Sequence, residues 1–285
     1  MTTSLKQRLR APSILLAPGV YDALSGLIAE QAGAEAIYLS GASIAYTRFG
    51  RPDIGLTTQS EMVDAVRRIA AAVDVPLIAD ADTGYGNALN VVRTVHEYEQ
   101  AGACAIQLED QVFPKRCGHM AGKEVIGTAE AVAKVRAAVA ARQDPDLLVI
   151  ARTDVGAVEG VPAAIERAKA FADAGADILF VEAPPTKADI ERIATELDDH
   201  PLLFNWVEGG RTEGVDVQFV KDVGYRLIIF PISAMLAATR AMRRLYTALH
   251  ETGSTHGFAE MDSFSDAVDL MGLAEVRAIE ESFRS

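Results

Sequence analysis

The 285-residue chain contains only two cysteines, Cys104 and Cys117, and a single tryptophan. Two cysteines exclude a disulfide-stapled scaffold and suit a reducing cytoplasm. Lys and Arg number 27 against 40 Asp and Glu, a formal charge of −13. That shortage of cations argues against nucleic acid, whose phosphates need clustered Lys and Arg. No apolar run approaches the roughly 20 residues that span a bilayer. The opening MTTSLKQRLRAPS lacks the apolar core of a secretory signal. A cytoplasmic protein is expected, with neither nucleic acid nor membrane as partner. Linkers rich in Ser or Gly, low-complexity tracts and long like-charge runs are missing too. With 49% hydrophobic and 24% charged residues, the composition is globular, and the length suffices for a large core without disulfide or structural metal.

What is present is a rhythm of short apolar runs, each followed by a longer stretch with helical spacing. The runs are Ile14–Ala17, Ala36–Leu39, Leu77–Ala79, Ala105–Leu108, Leu147–Ile150, Ile178–Val181, Leu202–Phe204 and Leu227–Phe230. Their apolarity is continuous rather than alternating, which suits strands buried on both faces of a parallel sheet. Between them, Ser60–Ala72, Ala129–Arg142 and Ala163–Ala174 are amphipathic; in the first, Met62, Val63, Val66, Ile69 and Ala70 form one stripe. Three helical stretches close on the phrases Gln31-Ala-Gly-Ala, Gln100-Ala-Gly-Ala and Asp173-Ala-Gly-Ala, whose glycine is read as a left-handed helix stop. Eight such units predict a single (β/α)8 TIM barrel over 1–285. Residues 262–285 form a C-terminal helical extension, whose Phe264, Val268, Met271 and Leu273 would pack on a neighbouring subunit or on the chain's own outer ring.

In such a barrel the active site lies at the C-terminal ends of the strands. There the sequence sets Ser40-Gly41-Ala42, Asp80-Ala81-Asp82, Glu109-Asp110, Arg152-Thr153-Asp154, Glu182, Asn205 and Pro231-Ile232-Ser233. Charges next to buried strands need partners or a metal. Asp80, Asp82 and Glu109, with Asp53, would repel one another unless a cation sits among them. Oxygen donors without Cys or His select Mg2+ or Mn2+. The structural alternative is ion pairing with Arg48, Arg51 or Arg152. A loop, Lys115-Arg116-Cys117-Gly118-His119, follows the Glu109 strand. A thiol beside three basic residues should have a lowered pKa and serve as an acid/base group. Cys104, among apolar neighbours at a strand start, reads as structural. Arg152 could clamp a carboxylate or pair with Glu109, Glu182 or Asp154. Ser40, Gly41 and Ala42 offer backbone N–H groups to an anion, and Tyr38 could reach the same mouth.

Together these motifs resemble the isocitrate lyase and phosphoenolpyruvate mutase superfamily, over nearly the whole chain and in order. The cysteine loop is the most specific, joined by Tyr38-Leu-Ser-Gly41, Pro52-Asp53, Asp80-Ala-Asp82, Glu109-Asp110, Ala151-Arg-Thr-Asp154 and Asn205 through Thr212. The resemblance implies a barrel with a last helix swapped between subunits in a homotetramer, a dimer of dimers. It implies Mg2+, or Mn2+, held by the carboxylates matching Asp53, Asp80, Asp82 and Glu109 and chelated by a small 2-hydroxy or 2-oxo dicarboxylate or tricarboxylate. Ser40, Gly41, Ala42 and Arg152 would hold the same end of the substrate. Lys115, Gly118, Asn205 and Ser233 are further substrate-binding candidates.

Cys117 argues against phosphonate P–C chemistry. Within the superfamily the chain is most like the methylisocitrate lyase and 2,3-dimethylmalate lyase branches, which include chains labelled carboxyphosphonoenolpyruvate mutase. Met120 stands where the first usually has a basic residue; Trp206 and Glu213 depart from the second. The implied activity is a retro-aldol carbon–carbon lyase acting on a substituted malate. Cys117 would be the proton donor; Tyr38 or a metal-bound carboxylate the base; His119, Glu182 and Asn205 would orient the departing acid. Decarboxylation or hydrolysis of oxaloacetate is the alternative. A non-catalytic small-acid binding protein is the reading from another class.

Overall fold

The computed structural model describes residues 4–118, 122–210, 212 and 214–284. After a short helix, α1 (Leu5–Arg8), strands and helices alternate. The order is β1 (Leu15–Val20), α2 (Ala23–Gln31), β2 (Ile37–Leu39), α3 (Gly41–Phe49), α4 (Gln59–Ala70), β3 (Leu77–Asp80), α5 (Ala88–Ala101), β4 (Ala105–Glu109) and α6 (Thr128–Ala141). Then come β5 (Leu148–Thr153), α7 (Gly156–Glu159), α8 (Val161–Asp173), β6 (Ile178–Val181), α9 (Lys187–Glu196), β7 (Leu203–Asn205), α10 (Val217–Asp222), β8 (Leu227–Phe230) and α11 (Ser233–Thr252). The expected strands all form, displaced at their ends by at most three residues, the most in β1 and β5.

All pairings are parallel, in the order β6-β5-β4-β3-β2-β1-β8-β7. An isolated parallel bridge between Leu179 and Leu202 brings the two outer strands together. This is the expected (β/α)8 barrel. Its interior is filled by side chains such as Leu15, Tyr38, Ile78, Ile150, Phe180 and Ile229, with Leu5 and Leu9 packed among them. Two further apolar layers lie between the sheet and its helices. A side chain such as Ile106, wholly buried, contributes roughly 2–3 kcal/mol by leaving water.

The helices begin and end where local chemistry directs. Asp22 with Ser25, Thr58 with Glu61 and Asn87 with Asn90 form reciprocal caps at the starts of α2, α4 and α5. At the other end, Gly102 (φ 101°) and Gly175 (φ 96°) take the left-handed conformation that stops α5 and α8, a conformation costly for any residue with a Cβ.

The chain divides into two compact units, Met1–Met235 and Leu236–Ser285. The second holds most of α11, then α12 (Phe264–Leu270) and α13 (Leu273–Ser282). None of these three helices has a buried residue, and Phe264 and Phe283 are more than four-fifths exposed. Within this unit Arg244 pairs with Glu260 at 2.7 Å. Among the described residues no helix is long and apolar enough to cross a membrane.

Candidate active site

Parallel register sets the neighbours at the C-terminal rim. Asp80 on β3 lies opposite Gln107 on β4, and Glu109 on β4 lies opposite Arg152 on β5. Eleven of the expected site residues line one cavity of about 50 Å³: Tyr38, Ser40, Ala42, Asp53, Asp80, Lys115, Cys117, Gly118, Arg152, Glu182 and Asn205. Gly41 stands behind the cavity, its N–H donating to Asp80 Oδ2 at 3.2 Å. A Cβ on Gly41 would meet that oxygen at 2.9 Å, so glycine permits this close approach. Ser40 caps α3 through its hydroxyl, which accepts from Ser43 N.

The carboxylates gather around a lysine. Lys115 Nζ lies 2.6 Å from Asp53 Oδ1 and 2.8 Å from Asp82 Oδ1, with all three side chains buried. Burial works against the charge of Lys115, but Asp82, Asp53, Glu109 and Asp80 together hold its pKa well above the usual lysine value. Asp82 is pushed up to about 6, chiefly by burial and further by Asp80 and Asp53, against the pull of Lys115. Glu109 is raised well above the carboxylate range, first by burial. Burial, more than mutual repulsion, thus disfavours the ionised forms of Asp82 and Glu109 in this cluster. Asp82 also sits in the left-handed region at φ 46°, a strained conformation often found at functional sites.

Arg152 has the ion pairs expected as its structural alternative, all of them at once. Its Nε and Nη2 donate to Asp154 at 2.9 and 3.0 Å. Nη1 lies 3.4 Å from Glu109 and Nη2 3.7 Å from Glu182. Burial opposes its charge, yet Asp154, Glu109 and Glu182 keep its pKa well above normal. Asn205 Nδ2 donates to both oxygens of Glu182 at 3.3 Å. Two buried acceptors, Glu109 Oε1 and Asn205 Oδ1, have no hydrogen-bond donor among the described residues.

The cysteine segment is bound to this group along its backbone. Cys117 N donates to Asp53 O at 3.2 Å. Gln111, itself buried, brackets Arg116: its amide donates to Arg116 O at 2.8 Å and its oxygen accepts from Arg116 N at 3.0 Å. Gly118 lies so close that an added Cβ would stand 1.9 Å from Glu182 Oε1. His119 falls outside the described residues. Ser233 turns to another partner, its hydroxyl donating to Glu208. Cys104 packs beside the barrel interior, and burial raises its thiol pKa, in keeping with a structural role.

Three residues of this region escaped sequence reasoning. Gln107, wholly buried, accepts from the Tyr38 hydroxyl at 3.0 Å and reaches Asp80 Oδ1 at 3.5 Å. Tyr46 lines the cavity and has its pKa raised by burial and then by Cys117. Lys123 is buried between Asp154 and the cysteine segment. Only the position of Gln107, two residues before Glu109 on one strand, carried a signal that it shares the rim.

Residues 5–250 match the family model described as phosphoenolpyruvate phosphomutase. The chain is 43% identical over 286 residues to the 2,3-dimethylmalate lyase of Eubacterium barkeri, covering 99% of each. The chain belongs to the phosphoenolpyruvate mutase and isocitrate lyase superfamily. It is also 44% identical over 269 residues to the 2-methylisocitrate lyase of Aeropyrum pernix, covering 94% of this chain and 86% of that one. Oxaloacetate acetylhydrolase in complex with 3,3-difluorooxalacetate superposes with a TM-score of 0.94 at 33% identity, over 99% of this chain and 96% of that one. The two curated relatives are thus named as lyases of small acids, in line with the activity class expected from the motifs.

The superfamily is dependent on divalent metal, and the rim fits such an ion by chemistry. Its donors are all oxygen, and buried Glu109 Oε1 has no hydrogen-bond donor among the described residues. Among the described residues, however, no three acidic, His or Cys side chains converge as a ready ligand set; Lys115 stands between Asp53 and Asp82.

Proposed function

We propose that this chain is a Mg2+-dependent retro-aldol lyase that cleaves a substituted malate of the 2,3-dimethylmalate or 2-methylisocitrate class. The products are pyruvate, or another 2-oxo acid, and a carboxylic acid. The observation that carries this reading is the meeting of Cys117 with Arg152, Glu182 and the carboxylate rim in one small cavity.

Asp80, Asp82, Glu109 and Asp53 would hold the ion, with Mn2+ an alternative. When bound, it supplies Lewis acidity to the 2-hydroxy carboxylate end of the substrate. Arg152, with Ser40, Gly41 and Ala42, binds that end. The Tyr38 phenol, raised well above its ordinary pKa by burial and by Asp80, keeps its proton and acts as a fixed donor, so a rim carboxylate takes the proton of the 2-hydroxyl. The C2–C3 bond then breaks, and its electron pair passes to the departing acid as an enolate-like dianion. Cys117 gives that carbon a proton and recovers one from the rim. Lys115, Gly118 and Ser233 belong to the proposed substrate-binding set, and His119, Asn205 and Glu182 orient the departing acid.

We further read the protein as one barrel domain with 262–285 as an extension, cytoplasmic and tetrameric. The exposed apolar side chains of α12 and α13 support contact with neighbouring copies. Action on oxaloacetate is the second reading, favoured by the likeness to oxaloacetate acetylhydrolase.

The test is to supply 2,3-dimethylmalate, 2-methylisocitrate and oxaloacetate separately, with Mg2+ and with EDTA, and to follow products by proton NMR. Pyruvate plus propionate, or pyruvate plus succinate, is expected with Mg2+ alone. Cys117→Ser should cut turnover by at least about a hundredfold while substrate still binds. Turnover of oxaloacetate alone, surviving that substitution, would overturn the lyase reading.

A further inference from the structure

Lys123 lies outside the catalytic set yet is almost wholly buried, its side chain 2% exposed. Its ammonium donates to Gly118 O at 2.6 Å and to Asp154 Oδ1 at 2.7 Å. A buried ammonium needs good partners, and these two differ in kind. One is the carboxylate that grips Arg152 in bidentate fashion; the other is the backbone carbonyl next to Cys117. Charge balance explains the first. Arg152 faces three carboxylates, Asp154, Glu109 and Glu182, and Lys123 adds a second cation beside Asp154. The second contact is not required for neutrality. It ties the cysteine segment to the arginine network, at a glycine whose Cβ position is already filled by Glu182 and Arg152.

We propose that Lys123 is a positioning residue: it clamps the Gly118 carbonyl to Asp154 and thereby fixes the Cys117 thiol against the Arg152 end of the cavity. The ties from Gln111 to Arg116 and from Cys117 N to Asp53 O lie on the N-terminal side of the segment, whereas Lys123 holds it at Gly118. Removing the Lys123 ammonium takes away the tie at Gly118 O. Asp154 then keeps only its bonds from Arg152, which hold the guanidinium where it stands.

This inference rests on the lyase reading for its kinetic consequence but not for its structural one, so the experiment has two arms. In the first, Lys123→Met, Lys123→Gln and Lys123→Arg are compared with the parent protein on the substrate it turns over. The neutral variants should lose at least about tenfold in kcat while KM changes by less than about threefold. Arg, which keeps the charge and can span both acceptors, should restore most of the rate. In the second arm, which needs no activity, Cys117 is alkylated with iodoacetamide and mapped by mass spectrometry, with Cys104 as the internal reference. Cys117 should react several-fold faster in the neutral variants and near the parent rate in the Arg variant.

Neutral variants with parental kcat and parental Cys117 alkylation would overturn the proposal. So would equal losses in all three variants, which would mean that Lys123 only fills space. If the parent turns over none of the acids, the lyase reading fails, but the alkylation arm still decides the clamp. If the Met protein does not fold, the Gln and Arg proteins carry the comparison.

Discussion

Gly118→Ala adds one methyl group at the point where the cysteine segment meets the rim. The backbone of Gly118 is not in the left-handed region, so the substitution carries no conformational cost of its own and its effect is purely steric. The new Cβ would lie 1.9 Å from Glu182 Oε1 and 2.6 Å from Arg152 Nη2. The first contact is short of ordinary van der Waals separation by about 1.5 Å. Relief comes in one of two ways. Glu182 can retreat, but it is held by Asn205 and faces Arg152, so the arginine network moves with it. Otherwise the segment lifts, and Cys117 moves with it by an ångström or more. Misplacement on that scale costs about a hundredfold in rate, equivalent to about 2.7 kcal/mol of transition-state stabilisation. The assay is pyruvate formation by NMR or a coupled dehydrogenase, with melting temperature measured in parallel. Gly127→Ala is the control, because nothing lies within 4 Å of a Cβ there. The expected result is loss of turnover with a small shift in melting temperature for Gly118→Ala, and no change for Gly127→Ala. A Gly118→Ala protein with turnover within about threefold of the parent would refute the placement of the segment against Glu182.

Asp154, paired with Arg152 and Lys123, has its pKa brought down to about 2 by these cations against the opposing effect of burial. A depressed folded-state value means that its contribution is fully present above the unfolded pKa and is lost as pH falls toward 2; by linkage this is roughly 2 kcal/mol. Urea midpoints of the parent and Asp154→Asn proteins should therefore converge between about pH 4 and pH 2. A gap that stays constant would show that the pairing does not titrate as described. For the tail, sedimentation at micromolar concentration should give four times the mass of the chain, and replacing the exposed Phe264 and Phe283 by Ser should reduce it. A monomer at that concentration would dispose of the intersubunit reading.

The barrel was legible in the order of the residues. Strands covered on both faces are apolar along most of their length, so the runs within β3, β5 and β6 stand out, with β4 interrupted by Gln107, and the phrases containing Gly102 and Gly175 mark where helices stop. The residue order also determined which chemistry-bearing residues sit at the rim, because in a parallel barrel every strand delivers its C-terminal end to the same face. Asp80, Glu109, Arg152, Glu182 and Asn205 were legible for that reason, and Cys117 stood out as a thiol in a polar, glycine-flanked loop. Tertiary structure alone decided how these groups partner. Lys115 reads in sequence as one of several basic loop residues; folding sets it between Asp53 and Asp82, 62 and 33 residues away in the chain. Lys123, which no sequence motif marks, becomes a buried link between Asp154 and Gly118. Gln107 reads as an interior strand residue and becomes the acceptor for Tyr38. Burial and hydrogen bonding of this kind depend on distances between remote segments. Periodicity and local propensity act over a few residues and contain no such distances, so the partners of a charge become visible only once the barrel has closed.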